Sequence, residues 1–187
     1  MAITTLDPHT ALIVVDLQNG LASLTAVPSV SDVAAQAGIL AKFFRSQGLP
    51  VVLVNVAGGA PGRAEQVRLL GTPPTGWLDI LPALDQQPED HVVTKKTWGA
   101  FTNTDLATYL KERDITQVVI VGIATSIGVE STARQAHEHG FNVTLAVDAM
   151  TDLNPDAHLN SIMRIFPRLG ETGTVQEIIA LLGKDRA

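Results

Sequence analysis

Two charged side chains and one turn hold most of the chemical content of this chain. Asp16 closes a short apolar run, Ala11 to Val15, that reads as a buried strand. Lys95 and Lys96 follow another strand-like run, His91 to Thr94. The segment Val121-Gly122-Ile123-Ala124-Thr125-Ser126-Ile127-Gly128-Val129 leaves a third run and opens into a helical pattern. A carboxyl group can give or take a proton, and a lysine can balance negative charge. A helix start can offer backbone N–H donors to an anion. The sequence contains no cysteine, so thiolate chemistry is closed to it. Ser126 lacks the first glycine of a Gly-x-Ser-x-Gly elbow, and Ser131 falls nearly a turn into the helix. Neither serine is expected to act as a nucleophile.

The elements that must position these groups alternate strand and helix. This order predicts a three-layer α/β/α sandwich around a mainly parallel, Rossmann-like sheet, as a single domain over residues 1–187. The expected strand order is 3-2-1-4-5, or an extension of it. Strands are expected at Ala11 to Val15, Val51 to Val56, His91 to Thr94, Gln117 to Val121 and Asn142 to Val147. Helices are expected from Ser29 to Gly48, Thr102 to Arg113, Ile127 to His139, Asp156 to Ile165 and Val175 to Leu182. Ser29 with Asp32, and Thr174 with Glu177, have capping-box spacing. The Gly/Pro-rich stretch Ala57 to Pro74 reads as irregular loop of the kind that lines binding sites. In open sheets of this order, ligands bind where the order reverses, beyond the carboxyl ends of strands 1 and 4. Asp16 and the Gly122–Gly128 turn are therefore expected to meet.

Composition narrows the function classes. The chain has 187 residues, 45% of them hydrophobic, enough to bury a substantial core. Thirteen basic and 19 acidic residues give a net charge of −6, which argues against a nucleic-acid surface. No apolar run approaches the ~18 residues that a membrane span requires. The N-terminus lacks the basic and apolar regions of a signal peptide, so a cytoplasmic protein is the expectation.

Three segments together resemble the isochorismatase-like hydrolases, also called cysteine hydrolases. Asp16-Leu17-Gln18-Asn19 is similar to the family's aspartate motif. Lys95-Lys96-Thr97-Trp98-Gly99-Ala100-Phe101 matches its lysine six residues before a phenylalanine. Val121 to Arg134 resembles its nucleophile segment, with Gly128 where most members carry cysteine. Lys96 then reads as a solvated neighbour of Lys95.

The resemblance implies a hydrolase of a small, anionic metabolite, working without a thiol. True isochorismatases are similar in carrying glycine at this turn, and they cleave a vinyl ether by protonating its methylene carbon. By that resemblance Asp16 is the proton donor and Lys95 the charge partner. Gln18, Trp98, Phe101, Ala124, Thr125 and Ile127 are expected at the substrate. The rival reading is a silent member that binds a metabolite or serves as an assembly subunit. No cofactor is expected, and no metal: Ala57 to Gly71 contains no histidine and one acidic residue, Glu65, unlike the nicotinamidase branch. The substrate-holding glutamine of isochorismatases is also missing after strand 2, and Arg63 or Arg68 are the nearest arginines. Relatives imply a homo-oligomer. His9, His91, His137 and His139 are expected to face solvent, His158 to pack or cap, and Asp148 to order a loop.

Overall fold

The computed structural model describes residues 3–65 and 72–184. Six strands form one parallel sheet: β1 (Thr10–Val15), β2 (Val51–Val56), β3 (His91–Lys95), β4 (Gln117–Ile123), β5 (Asn142–Thr151) and β6 (Glu171–Gly173). Their order is β3-β2-β1-β4-β5-β6. All residues of β1 and β4 are buried, as expected of central strands covered on both faces. Alternation divides their side chains between two cores. Leu12, Val14, Leu53, Val119 and Val121 pack with helices α1 (Val30–Ser46) and α5 (Val175–Lys184). Ile13, Val15, Val52, Val54 and Ile120 pack on the other face with α2 (Leu106–Lys111) and α3 (Glu130–Glu138). Helix α4 (Pro155–Asn160) completes the set. No described helix is long and apolar enough to cross a membrane.

Helix starts follow the capping chemistry. Ser29 Oγ accepts from Asp32 N at 3.1 Å. The Thr174 hydroxyl accepts from Glu177 N, while Glu177 Oε2 accepts from Thr174 N at 2.7 Å. Thr174→Ala removes half of this reciprocal cap and is expected to cost about 1 kcal/mol, read as a lower denaturant midpoint at unchanged slope. Asp148 Oδ1 accepts from Val175 N, so it fastens the start of α5.

Several boundaries differ from the sequence expectation, and the helix expected from Thr102 to Arg113 is confined to Leu106–Lys111. The stretch Thr125–Val129 is a wide turn with i→i+5 bonding, and α3 begins only at Glu130. A second such turn, Ser161–Ile165, interrupts the helix expected from Asp156 to Ile165. Strand β5 runs four residues beyond Val147, because a bulge shifts its register against β4 between Ile120 and Gly122. Strand β6 was not expected at all; its three residues, Glu-Thr-Gly, have no apolar alternation to reveal it.

Candidate active site

Strand pairing places the carboxyl ends of β1 and β4 side by side, with Val15 opposite Gly122. Gly122 has a φ of +125°, and a Cβ there would lie 2.0 Å from the Val15 carbonyl oxygen. Only glycine allows the two strands to close at this point. Asp16 turns out of β1 with a φ of +57°, while its N–H still donates to Val54 O of β2. Its carboxylate meets Lys95, which reaches in from the end of β3: Nζ donates to Asp16 Oδ2 at 2.7 Å and to Thr97 O at 3.1 Å. Both side chains are nearly free of solvent, and Asp16 Oδ1 is buried with no hydrogen-bond partner.

Gly128 lies above this pair. A Cβ built on it would sit 3.1 Å from Asp16 Oδ2, 3.1 Å from Val15 Cγ1 and 3.2 Å from Ile123 O. Its φ lies outside the left-handed region, and a side chain there would crowd the Asp16 carboxylate.

The turn is held from three sides. Asp152 Oδ2 accepts from both Ser126 N at 2.7 Å and Ser126 Oγ at 2.8 Å. Ala124 O accepts from Ile127 N and Val129 N. The N–H groups of Ser126, Ile127 and Val129 are thus engaged within the protein, fewer being open to a ligand than a bare helix start would offer. The Thr132 hydroxyl donates to Gly128 O at 2.7 Å and accepts from Ala100 N, tying the turn to the loop after Lys95. Thr125 Oγ1 and His158 Nδ1 share a hydrogen bond of 2.8 Å. Burial holds the His158 imidazole below its ordinary pKa, against the opposing charge of Asp152.

Burial lifts the Asp16 carboxyl from its ordinary 3.8 to about 6, against the opposing charge and hydrogen bond of Lys95. Sequence leaves these two influences unweighed; the depth of the site decides for burial. A carboxyl group poised near 6 can be either acid or base at neutral pH.

The other expected site residues divide. Ala124 and Ile127 lie on the turn that carries Gly128. The Thr125 side chain is fully buried and committed to His158. Gln18, expected at the substrate, is fully buried: it donates to Val56 O and Trp77 O and accepts from Val56 N, latching the β1 loop onto β2. Phe101 packs inward near Phe141 and His139, and its N–H donates to Gln135, so it anchors the lysine loop. Trp98 is 64% exposed at the surface of that loop. Lys96 is exposed, as expected, at the edge of an open cavity after β2 and β3. His91 stacks on Tyr109 at 3.8 Å, so it is not the solvent-facing side chain expected. Arg63 and Glu65 are exposed, and Arg68 lies outside the described residues. Among the described residues no three His, Asp or Glu side chains gather to hold a metal. Asp152 and Thr132 were missed by sequence reading. The signal for Asp152 was available only if β5 had been carried past Val147.

A doubly covered parallel sheet with an aspartate–lysine pair at its switch point places reactive groups where open α/β sheets bind small molecules. The chain belongs to the isochorismatase family, whose domain matches residues 10–177. It is 40% identical over 180 residues to the isochorismatase family protein YecD of Escherichia coli O157:H7, itself uncharacterised, covering 92% of this chain and 96% of that one. It is 33% identical over 179 residues to the ureidoacrylate amidohydrolase RutB of Stutzerimonas stutzeri, covering 79% and 72%. An isochorismatase family protein of Burkholderia thailandensis has a solved structure that superposes with a TM-score of 0.93 at 42% identity, covering 97% of this chain and all of that one. Relatives and structural neighbours include hydrolases of several kinds, and this chain is a hydrolase of the same family.

Proposed function

We propose that this protein hydrolyses a small anionic metabolite without a protein nucleophile, and that its reaction is cleavage of a vinyl ether such as that of isochorismate. One observation carries the reading. In a chain without cysteine, a buried carboxyl of raised pKa sits against Lys95, and the backbone of Gly128 lies close beside it with no side chain between. By the resemblance, Gly128 stands where the family's amidases carry cysteine, and thiol-dependent amide hydrolysis is closed to a chain without cysteine.

In the proposed reaction Asp16 gives its proton to the methylene carbon of the enolpyruvyl group. The proton leaves from Oδ1, since Oδ2 is engaged by Lys95. Electron flow from the ether oxygen leaves an oxocarbenium carbon, which water attacks. The resulting hemiketal collapses to pyruvate and the free alcohol, and the proton released by water restores Asp16. Lys95 stabilises the carboxylate left behind and the anionic substrate nearby. About a tenth of Asp16 is protonated at pH 7 if its pKa is near 6, and a bound anion raises that share.

The test is pyruvate release from isochorismate by the purified protein. Release establishes vinyl-ether hydrolysis. Its absence, with the fold intact, rejects isochorismate as substrate and favours a metabolite-binding role. The pH profile separates the two roles of Asp16. An acid must be protonated, so kcat/KM should fall as pH rises through about 6. A rise over the same interval would make Asp16 a base and overturn the assignment.

A further inference from the structure

One buried hydroxyl joins the two segments that flank Asp16. Thr132, in the first turn of α3, is fully buried. Its Oγ1 donates to Gly128 O at 2.7 Å. Threonines in helices often donate to the carbonyl four residues back, so this bond alone would be an ordinary local one. The same oxygen also accepts from Ala100 N at 3.2 Å, and Ala100 is 32 residues away, on the loop after Lys95. Local helix chemistry gives no reason for that second bond. Gln135, on the same face of α3, grips the same loop. Its Oε1 accepts from Phe101 N at 3.0 Å, and its Nε2 donates to Thr102 Oγ1 at 2.6 Å. Gly99 lies flat against it, since a Cβ there would be 2.2 Å from Gln135 Oε1.

These contacts close a ring around the reactive pair. Lys95 Nζ donates to Asp16 Oδ2 and to Thr97 O, and Thr97 Oγ1 donates to Gly99 O at 2.9 Å. Ala100 N reaches Thr132, Thr132 reaches Gly128, and the Gly128 backbone stands against Asp16. A lysine ammonium sits on a flexible stem, so its place is set by the acceptors that receive it. One of those acceptors, Thr97 O, belongs to the loop that Thr132 fastens. Without the Thr132 hydroxyl, Ala100 N becomes a buried donor with no acceptor, a cost that drives the loop toward water. Thr97 O then moves with the loop and draws Lys95 away from Asp16.

We propose that Thr132 is a positioning residue, which through Ala100 and Gly128 sets how close the Lys95 ammonium stands to the Asp16 carboxyl. It touches neither of those groups. The inference deepens the function proposed above and rests on its choice of Asp16 and Lys95 as the working pair.

Asp16 itself reports the distance, because the Lys95 charge lowers its pKa against the effect of burial. The titration of the Asp16 carboxyl carbon is followed by NMR in protein labelled at aspartate, with the Asp16→Asn spectrum identifying the signal. Thr132→Val keeps the side-chain volume and removes the hydroxyl. Its Asp16 midpoint should rise above the wild-type value by about half a pH unit or more, since the lowering charge recedes. The site meanwhile stays closed by the apolar packing of Val129, Ala133 and Ala136. Thr132→Ser restores the hydroxyl and should return the midpoint to that of the wild type. Thr174→Ala weakens the distant cap of α5 and should leave the midpoint unchanged, so lost stability by itself does not produce the shift. An unmoved or lowered midpoint in folded Thr132→Val would overturn the proposal, as would a Thr132→Ser midpoint that matches Thr132→Val. If Thr132→Val does not fold, Thr132→Ala against Thr132→Ser carries the same comparison. The titration needs no substrate, so absent pyruvate release counts against the reaction and leaves this test intact.

Discussion

Exchange of Asp16 for asparagine is expected to lower vinyl-ether turnover by about two to four orders of magnitude, the usual contribution of a positioned general acid. Asparagine keeps the shape and supplies no transferable proton. The variant also carries a structural penalty that sequence alone does not reveal. Lys95 is 2% exposed, and Asp16 is its counter-charge. Removing Asp16 leaves the Lys95 ammonium buried without its counter-charge, a cost partly offset because burial already disfavours the Asp16 carboxylate. A double variant, Asp16→Asn with Lys95→Met, removes both charges and should regain most of that stability while remaining inactive. Urea unfolding at pH 7, run beside pyruvate release, separates the two effects. Undiminished turnover in the folded single variant would remove the acid role.

The same pair makes stability depend on pH with a definite sign. Folded Asp16 holds its proton more tightly than the unfolded chain, since its pKa is raised from 3.8 to about 6. Its contribution favours the folded state at low pH and is lost as pH rises across that interval. The double variant should lack this decline.

Gly128→Cys is expected to change the chemistry of the site. The new Cβ meets Asp16 Oδ2 and Val15 Cγ1 at 3.1 Å, so neighbours must give by a few tenths of an ångström. Such overpacking costs about 1–3 kcal/mol. The thiol would stand beside Asp16, a base able to deprotonate it. An activated ester such as 4-nitrophenyl acetate should then acylate the variant stoichiometrically, giving a burst absent from the cysteine-free wild type. Vinyl-ether cleavage should fall, because the sulfur fills the space proposed for substrate. A folded variant that shows no burst would mean that the turn cannot stabilise an acyl-transfer oxyanion.

Much of the fold was legible in the chain. The apolar runs of β1, β2 and β4 and the capping pairs at Ser29 and Thr174 are local signals, and local signals survive folding. The pairing of Asp16 with the Gly122–Gly128 turn followed from strand order, because a switch point is a property of topology. Gln18 and Phe101 show where such reading stops. Each belongs to a motif beside a reactive residue, yet both turn inward to hold loops, since a motif preserves spacing without specifying which side chain faces the ligand. β6 and the outer half of β5 escaped because a bulge and a three-residue strand carry no periodicity.

The residue types alone settled that no thiol chemistry is available, and the family resemblance offered Asp16 and Lys95 as the reactive candidates. They could not say which protonation state Asp16 favours or how close position 128 stands to it. Those answers depend on distances between β1, β3 and the turn after β4, segments about 30 to 110 residues apart in a chain whose packing is close. Burial of the Asp16–Lys95 pair outweighs the attraction within it, and this balance exists only once the sheet has closed around both side chains.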